Sequence, residues 1–494
     1  MKLKLLIAAL TIFQFAFSQP CKEVVAYYPG WQWYDRNKLV EPNTIDYSKY
    51  TVINYAFFAP QANGTIIGTD SWADENILLG DINWSTTPAT HYPNTSLPDV
   101  AHNNNVKVLI SVGGWTLSDE FPQIAANATK RATFAGACRQ LIDSFNLDGI
   151  DIDWEYPGYS AHSGTASDKQ NYTLFLQQIR DSLTARGLVT GKTYLLTACF
   201  GASAANASNI EWNSVSNILD MMNLMTYDFF GSWDAVSNHN APLHSPLQGD
   251  PSFNVDSAFV MLTQVYNVPA SKINIGIAFY GRSVTGCTAL HGTQSGNADA
   301  TTFPEDLGMP MYYNILPRMN QFTFYWDNTA MVPYLLGNSI QTFVSYDDEK
   351  SIALKAEYIV NNNARGAIIW EITGDYIETG SGTGIIAGTP LADTLNAVLC
   401  STTTSAFNTP GKKEMTFEIF PNPNNGNFCL NISNPENATL VLKIYNGLGE
   451  LVLNKNLGNA KGLYEQQLKN LSKGIYFCTL DAGKKSFSKK LIIE

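Results

Sequence analysis

The stretch Asp148-Gly149-Ile150-Asp151-Ile152-Asp153-Trp154-Glu155 places three acids, Asp151, Asp153 and Glu155, in strict alternation with Ile152 and Trp154. Side chains on a β-strand alternate faces with period two, so the three carboxyls share one face and the apolar residues the other. Carboxylates crowded on one face repel, which raises at least one pKa. A carboxyl that keeps its proton near neutral pH is equipped for general acid catalysis. Two other readings compete: a half-exposed strand with a wetted acidic face, and an all-oxygen Ca²⁺ or Mg²⁺ site. The glycine and ligand spacing of an EF-hand loop are absent, so no metal is assigned. A helix-like run (131–145) precedes the motif and Tyr156-Pro157-Gly158 ends it abruptly. That is the arrangement of a βαβ series, where chemistry gathers at strand C-termini.

The elements that must hold such a strand recur along the chain. Short β-rich runs at 24–28, 51–57, 107–112, 149–153, 194–199, 221–225, 273–278 and 366–370 alternate with longer amphipathic stretches. Most are continuously apolar, as parallel strands buried on both faces are. Eight units suit an α/β fold of the (β/α)8 TIM-barrel type better than an open doubly wound sheet. No GxGxxG follows any strand, so no dinucleotide is expected, and no other cofactor is called for. Residues 283–345 break the rhythm: they are rich in Gly, Thr, Tyr and Phe, and Phe322-Thr323-Phe324-Tyr325-Trp326 alternates like a strand. This predicts an α+β insertion between the last two barrel strands, standing on the catalytic face.

At 494 residues the chain has room for more than one domain. Its formal charge is −12, which makes nucleic acid and anionic membrane surfaces poor partners. The charge is uneven: 411–494 holds 11 Lys against 7 acids, a net +4 that leaves −16 on the rest. Lys2 and Lys4 precede an apolar run (5–17), and Ala16-Phe17-Ser18 reads as a cleavage site, so 1–18 is expected to be a signal peptide. The run is short for a transmembrane helix, and no later stretch is long enough. Seven cysteines in an oxidising compartment permit disulfides, and the odd number leaves at least one unpaired. Cys21 with Cys400, and Cys429 with Cys478, are the pairings suggested by position. No CxxC spacing points to zinc.

The catalytic unit is thus expected over 19–400. A Ser/Thr-rich linker over 401–412 is followed by short β-branched runs separated by Gly and Asn, which predict a small all-β sandwich over 413–494.

The form D-x-x-D-x-D-x-E resembles the signature of the family-18 glycoside hydrolases, the chitinases. Ser111-Val112-Gly113-Gly114-Trp115 is similar to that family's third-strand S-x-G-G segment, and Met225-Thr226-Tyr227-Asp228 to its sixth-strand M-x-Y-D. Tyr280-Gly281-Arg282-Ser283 and the run ending in Trp370 resemble its seventh and eighth strands. These motifs occur in family order, and the insertion looks like the one in the family's deep-cleft chitinases. One departure stands out: Glu371 follows Trp370 where the family often has Ala or Gly.

The resemblance implies a substrate-assisted, retaining hydrolysis in which the sugar's own acetamido oxygen attacks the anomeric carbon. It assigns Glu155 as general acid and then base, and Asp153 as the group that holds the acetamido N–H. Asp151 would share a proton with Asp153, and Tyr227 would hold the acetamido carbonyl. It places Trp370, Tyr27, Trp31, Trp115, Met225, Asp228, Trp233 and Arg282 around the sugar. For Met225 packing is the favoured account, and for Asp148 a turn-forming role weighs equally with a functional one. Trp72, Trp84, Trp212 and Trp326 have no such anchor and default to packing or surface roles.

The last segment resembles a second family. P-N-P-x-x-G near its start, Ile444-Tyr445-Asn446-Gly447-Leu448-Gly449, Leu471-Ser472-Lys473-Gly474-Ile475-Tyr476 and a Lys-rich end are similar to the type A C-terminal sorting domain of the type IX secretion system. A carbohydrate-binding module is the competing reading, disfavoured because no Trp follows Gly411. The expectation is therefore a secreted or cell-surface chitinase whose partners are chitin or its oligosaccharides and the type IX machinery. An endo-β-N-acetylglucosaminidase acting on N-glycans and a catalytically weak chitin-binding lectin are its rivals.

Overall fold

The computed structural model describes residues 21–400 and most of 416–493. The expected signal peptide and the linker lie outside the described residues. The chain divides into two compact units, Met1–Thr402 and Thr403–Glu494.

Eight parallel strands form the first unit: β1 (Glu23–Pro29), β2 (Val52–Pro60), β3 (Lys107–Gly113), β4 (Gly149–Asp153), β5 (Leu195–Gly201), β6 (Met221–Met225), β7 (Ile273–Ala278) and β8 (Gly366–Trp370). Each pairs with the next, and β1 pairs with both β2 and β8, so the sheet closes into a barrel. All eight coincide with the expected runs to within a few residues. The period-two pleat sorts their side chains. On β1, Val24 and Ala26 point outward to the main core, and Val25 and Tyr27 point into the lumen. On β4, Ile150, Ile152 and the following Trp154 pack outward, with Trp154 stacked on Phe121 at 5.4 Å. Asp151 and Asp153 are thereby turned inward.

Helices cover the outside. Ala128–Phe145 leads into β4, capped at its start by Asn127, whose side chain accepts from the Thr129 and Lys130 amides. Asp168–Thr190 follows β4, and Glu349–Asn361, opened by an Asp348–Ser351 capping box, leads into β8. Cys21 and Cys400 form a disulfide that joins the two ends of this unit.

The insertion leaves the barrel after β7. Strands Arg282–Thr285, Phe322–Asp327, Val332–Gly337 and Thr342–Ser345 make a four-stranded antiparallel sheet, accompanied by the short helix Tyr312–Ile315. The chain then returns to the barrel through the helix Glu349–Asn361 and β8.

The second unit has a three-stranded and a four-stranded antiparallel sheet around an apolar core that includes Phe428, Leu430, Leu442, Cys478 and Leu491. Two of its strands, Asn427–Ser433 and Gly462–Gln467, were not expected. Their Asn- and Gln-rich composition hides the alternation. The Cys429–Cys478 pairing is corrected: both thiols are free. Phe428 and Leu430 face the core, so the pleat turns Cys429 away from it, while Cys478 is fully buried inside.

Candidate active site

The lumen is polar where the acids stand. Asp151 is fully buried and surrounded by donors. Tyr27 Oη (2.8 Å), Ser111 Oγ (2.8 Å), Asn223 Nδ2 (3.2 Å) and Thr197 Oγ1 all donate to it. They come from β1, β3, β6 and β5, each brought level with Asp151 by the strand register, as in Ser111 opposite Asp151 opposite Thr197. Asn274 on β7 extends the network, donating to Asn223 at 3.0 Å. Burial pushes the Asp151 carboxyl up while the four donors hold it back.

Asp153, two residues nearer the mouth, is also buried, but its Oδ1 has no partner in the protein. Burial raises its pKa well above the usual carboxylate range, and the charges of Glu155 and then Asp151 add to this. Asp151 is engaged by its four donors, and the stronger electrostatic partner of Asp153 is Glu155.

Glu155 lies just past the end of β4. Its carboxyl is pushed up to about 7, first by burial, with the Asp228 charge adding and the Tyr156 hydroxyl opposing. Its backbone is held from two sides: the amide donates to Ser118 Oγ at 2.9 Å, and the carbonyl accepts from His162 Nδ1 at 2.7 Å. Gly113 and Gly114 make this closeness possible, with φ of +116° and +92°. Gly114 N–H bonds the Asp153 carbonyl at 2.7 Å, and a Cβ on Gly113 would collide with that same oxygen.

Tyr227 follows β6 and is packed edge-on against Tyr280, with ring centroids 6.1 Å apart. Gly276 on β7 leaves room for it, since a Cβ there would come within 2.9 Å of the ring. Burial holds its hydroxyl well above the usual phenol pKa, so it remains a donor. Asp228 is the ion-pair partner of Arg282, at 2.7 Å and 2.8 Å to Nη2 and Nε, and accepts from Tyr280 Oη at 2.5 Å.

These groups open into one cleft of about 1080 Å³. It brings together Tyr27, Trp31, Trp115, Asp153, Glu155, Met225, Tyr227, Asp228, Trp233, Arg282 and Trp370; Asp151 lies beneath, in contact with Tyr27. Trp370 forms an aromatic floor with Tyr27 (5.7 Å), Phe57 (5.6 Å, stacked) and Trp31 (6.4 Å). Trp115 and Trp233 stand further out, 51% and 57% exposed, with the Arg282 guanidinium 4.8 Å from the Trp233 ring centre. Rings exposed along a cleft present apolar faces to the C–H faces of sugars.

Sequence reasoning missed Phe57, Ser118, Tyr156 and His162. Phe57 and Tyr156 could have been found, since each stands at the end of a barrel strand or directly after the acidic motif. Ser118 and His162 lie on loops, where no periodicity marks them. Asp148 sits apart from the cleft, accepting from Val108 N–H at 2.8 Å and lying 2.7 Å from His102 Nε2. Glu371 turns away to cap the next turn through the Thr373 amide and hydroxyl, and burial raises it to about 7. Trp212 is buried, whereas Trp72 and Trp84 are exposed. Among the described residues no acid, His or Cys cluster is arranged to hold a metal ion, and no helix is long and apolar enough to cross a membrane.

Residues 23–375 match the family Glycosyl hydrolases family 18, and residues 418–494 match Secretion system C-terminal sorting domain. The chain is 37% identical over 405 residues to Chitinase A1 of Niallia circulans, covering 72% of this chain and 57% of that protein's length. It is 32% identical over 369 residues to Endochitinase 1 of Metarhizium robertsii, covering 71% and 80% of the two chains. Among solved structures, Chitinase ChiA74 from Bacillus thuringiensis superposes with a TM-score of 0.67 at 27% identity, covering 96% of this chain and 85% of its own. The family match spans the whole barrel and every strand that supplies a carboxylate or aromatic to the cleft, and the chain belongs to glycosyl hydrolases family 18.

Proposed function

We propose that this protein is a chitinase that hydrolyses β-1,4 linkages between N-acetylglucosamine units with retention, using the substrate's own acetamido group as nucleophile. The observation that carries this reading is the contrast at Asp153. A buried carboxylate oxygen without a hydrogen-bond partner is costly, and Asp153 Oδ1 is such an atom beside Glu155, whose carboxyl is pushed up to about 7. An acetamido N–H supplies the missing donor.

In this mechanism Glu155 protonates the glycosidic oxygen as the acetamido oxygen attacks the anomeric carbon. The leaving sugar departs and an oxazolinium ion forms. Asp153 holds the N–H and stabilises the positive charge, while Tyr227 holds the acetamido oxygen in line, a proximity effect. Glu155, now a carboxylate, takes a proton from water as it opens the ring and restores the original configuration. Asp151, held by its donors, supports Asp153 from below. Trp370 carries the reacting sugar, and Tyr27, Trp31, Trp115, Met225, Asp228, Trp233 and Arg282 line the path of the polymer. The aromatic length of the cleft and the insertion beside it favour a long linear polymer over an N-glycan core. The sorting-domain match supports export through the type IX system to the cell surface or medium.

The test compares colloidal chitin with a high-mannose glycopeptide. Release of N-acetylglucosamine oligomers from chitin alone supports the proposal. Cleavage of the glycopeptide alone replaces it with an endo-β-N-acetylglucosaminidase, and tight chitin binding without turnover replaces it with a lectin.

A further inference from the structure

His162 sits on the loop after β4, seven residues beyond Glu155. Its Nδ1 lies 2.7 Å from the Glu155 carbonyl oxygen. A carbonyl only accepts, so Nδ1 carries the hydrogen and the tautomer is fixed. The same imidazole packs edge-on against Trp115, with ring centroids 4.6 Å apart, and against Tyr159 at 5.3 Å. Trp115 is a half-exposed wall of the cleft. The loop that carries it also grips Glu155 from the other side: Ser118 Oγ accepts the Glu155 amide at 2.9 Å and donates to the Gly114 carbonyl at 2.9 Å. The peptide groups flanking the Glu155 Cα are therefore tied, through Ser118 and through His162, to the loop and ring that meet the substrate at Trp115.

We infer that His162 is a positioning residue that links occupancy of the Trp115 platform to the placement of the Glu155 carboxyl. This rests on the chitinase reading and extends it. A sugar stacked on Trp115 presses the indole toward His162, and His162 fixes the carbonyl from which the Glu155 backbone hangs. Substrates long enough to cover Trp115 then gain in kcat as well as in binding, because small displacements of a catalytic group cost large factors in rate. A tryptophan acting only as a sticky surface would change KM alone.

The experiment compares kcat and KM of wild type, His162→Ala, His162→Asn and His162→Phe on a pentamer of N-acetylglucosamine and on a two-sugar aryl glycoside. The expected result is a higher kcat for the pentamer in wild type and a fall of about tenfold in the pentamer-to-disaccharide kcat ratio in His162→Ala. Pentamer KM should move little. Asparagine, which keeps an N–H donor, should restore most of the ratio; phenylalanine, which keeps the ring packing without the donor, should not. Trp115→Ala should lower the same ratio, and adding His162→Ala to it should lower it no further. Equal losses on both substrates, an unchanged ratio, or additive losses in the double variant overturn the inference. If His162→Ala unfolds, the Asn and Phe variants decide by their order, and the reverse order overturns it. A wild-type enzyme that cleaves neither substrate defeats the chitinase reading itself, an outcome visible before any variant is compared.

Discussion

Asp151 and Asp153 stand two residues apart on one strand face, yet four side chains donate to the first while one oxygen of the second meets no donor at all. The difference separates a carboxyl engaged on both oxygens from one with an oxygen left unpartnered. Asp153→Asn offers an amide that can turn its own N–H toward the acetamido group, so kcat should fall by about 10²-fold or more while the fold survives. Asp151→Asn keeps one acceptor oxygen but sets an NH2 against the two donors on the other side, and should lower thermal stability as well as kcat. Melting curves beside initial rates distinguish the two; equal destabilisation would contradict the division of roles.

The acetamido requirement gives a second expectation. Fully deacetylated polymer lacks the internal nucleophile and should be degraded at a small fraction of the rate on chitin. Fresh reducing ends from chitin should carry the β configuration, read by proton NMR in the first minutes of reaction. Inverted ends, or equal rates on both polymers, would require a different mechanism.

Glu155 supplies a pH prediction with a definite sign. Its folded pKa is about 7 against an ordinary value of 4.5. In the proposed mechanism it starts protonated, as the general acid, so turnover should decline as pH rises through about 7. Stability follows the same proton. Between about 4.5 and 7 the native state holds a proton that the unfolded chain has released, so stability falls as pH rises across that window. Glu155→Gln should lower kcat by about 10²- to 10⁴-fold and flatten that part of the stability curve. Glu371 (about 7) and Asp375 (about 8) slope in the same direction, so the measurement is the difference between variant and wild type. A variant as pH-sensitive in stability as wild type would show that the burial cost lies elsewhere.

Much of this is legible in the sequence. Asp151, Asp153 and Glu155 announce themselves because a strand has period two and only one face of β4 is apolar. Most of the other barrel strands stand out for a different reason: buried on both sides, they are largely apolar. Tyr227, Trp370 and Arg282 follow strand ends and were placed by motif. What remained hidden depends on chain-distant contacts. Ser118 and His162 reach Glu155 only because two loops fold back over the strand end. The four donors to Asp151 come from four other strands, and only the barrel register brings them level. In the second unit the strands Asn427–Ser433 and Gly462–Gln467 escaped because Asn, Glu and Gln lower the apolar content of these short runs.

The match of 418–494 to a sorting domain and the compactness of the first unit predict separable roles. A chain stopped after Ser401 retains the closed barrel and the Cys21–Cys400 disulfide. Purified, it should turn over short soluble substrates within about twofold of the full chain, and in the producing cell it should fail to reach the medium. Immunoblots of cell and medium fractions, with activity on an aryl glycoside, test both halves. Loss of turnover would mean that the last unit serves the site.

Gly113 provides the strictest test of how the acids are aimed. Its φ of +116° lies where residues with a Cβ are strained, and the added atom would run into the Asp153 carbonyl and the Phe121 ring. Neither can give way cheaply: the carbonyl belongs to a central barrel strand, and Phe121 is fully buried against Trp154. Gly113→Ala should therefore force β3 and the end of β4 apart, displacing Asp153 and Glu155. Destabilisation of about 1–3 kcal/mol is expected from strain and overpacking, and kcat should fall by about 10²-fold from misplacement alone. Gly136 is the control: it lies in the helix leading to β4 with open space around its Cβ position. Gly136→Ala should be neutral or slightly stabilising, because alanine favours the helix. If both substitutions behave alike in melting curves and rates, the close approach of β3 to Asp153 is not what sets the carboxylates in place.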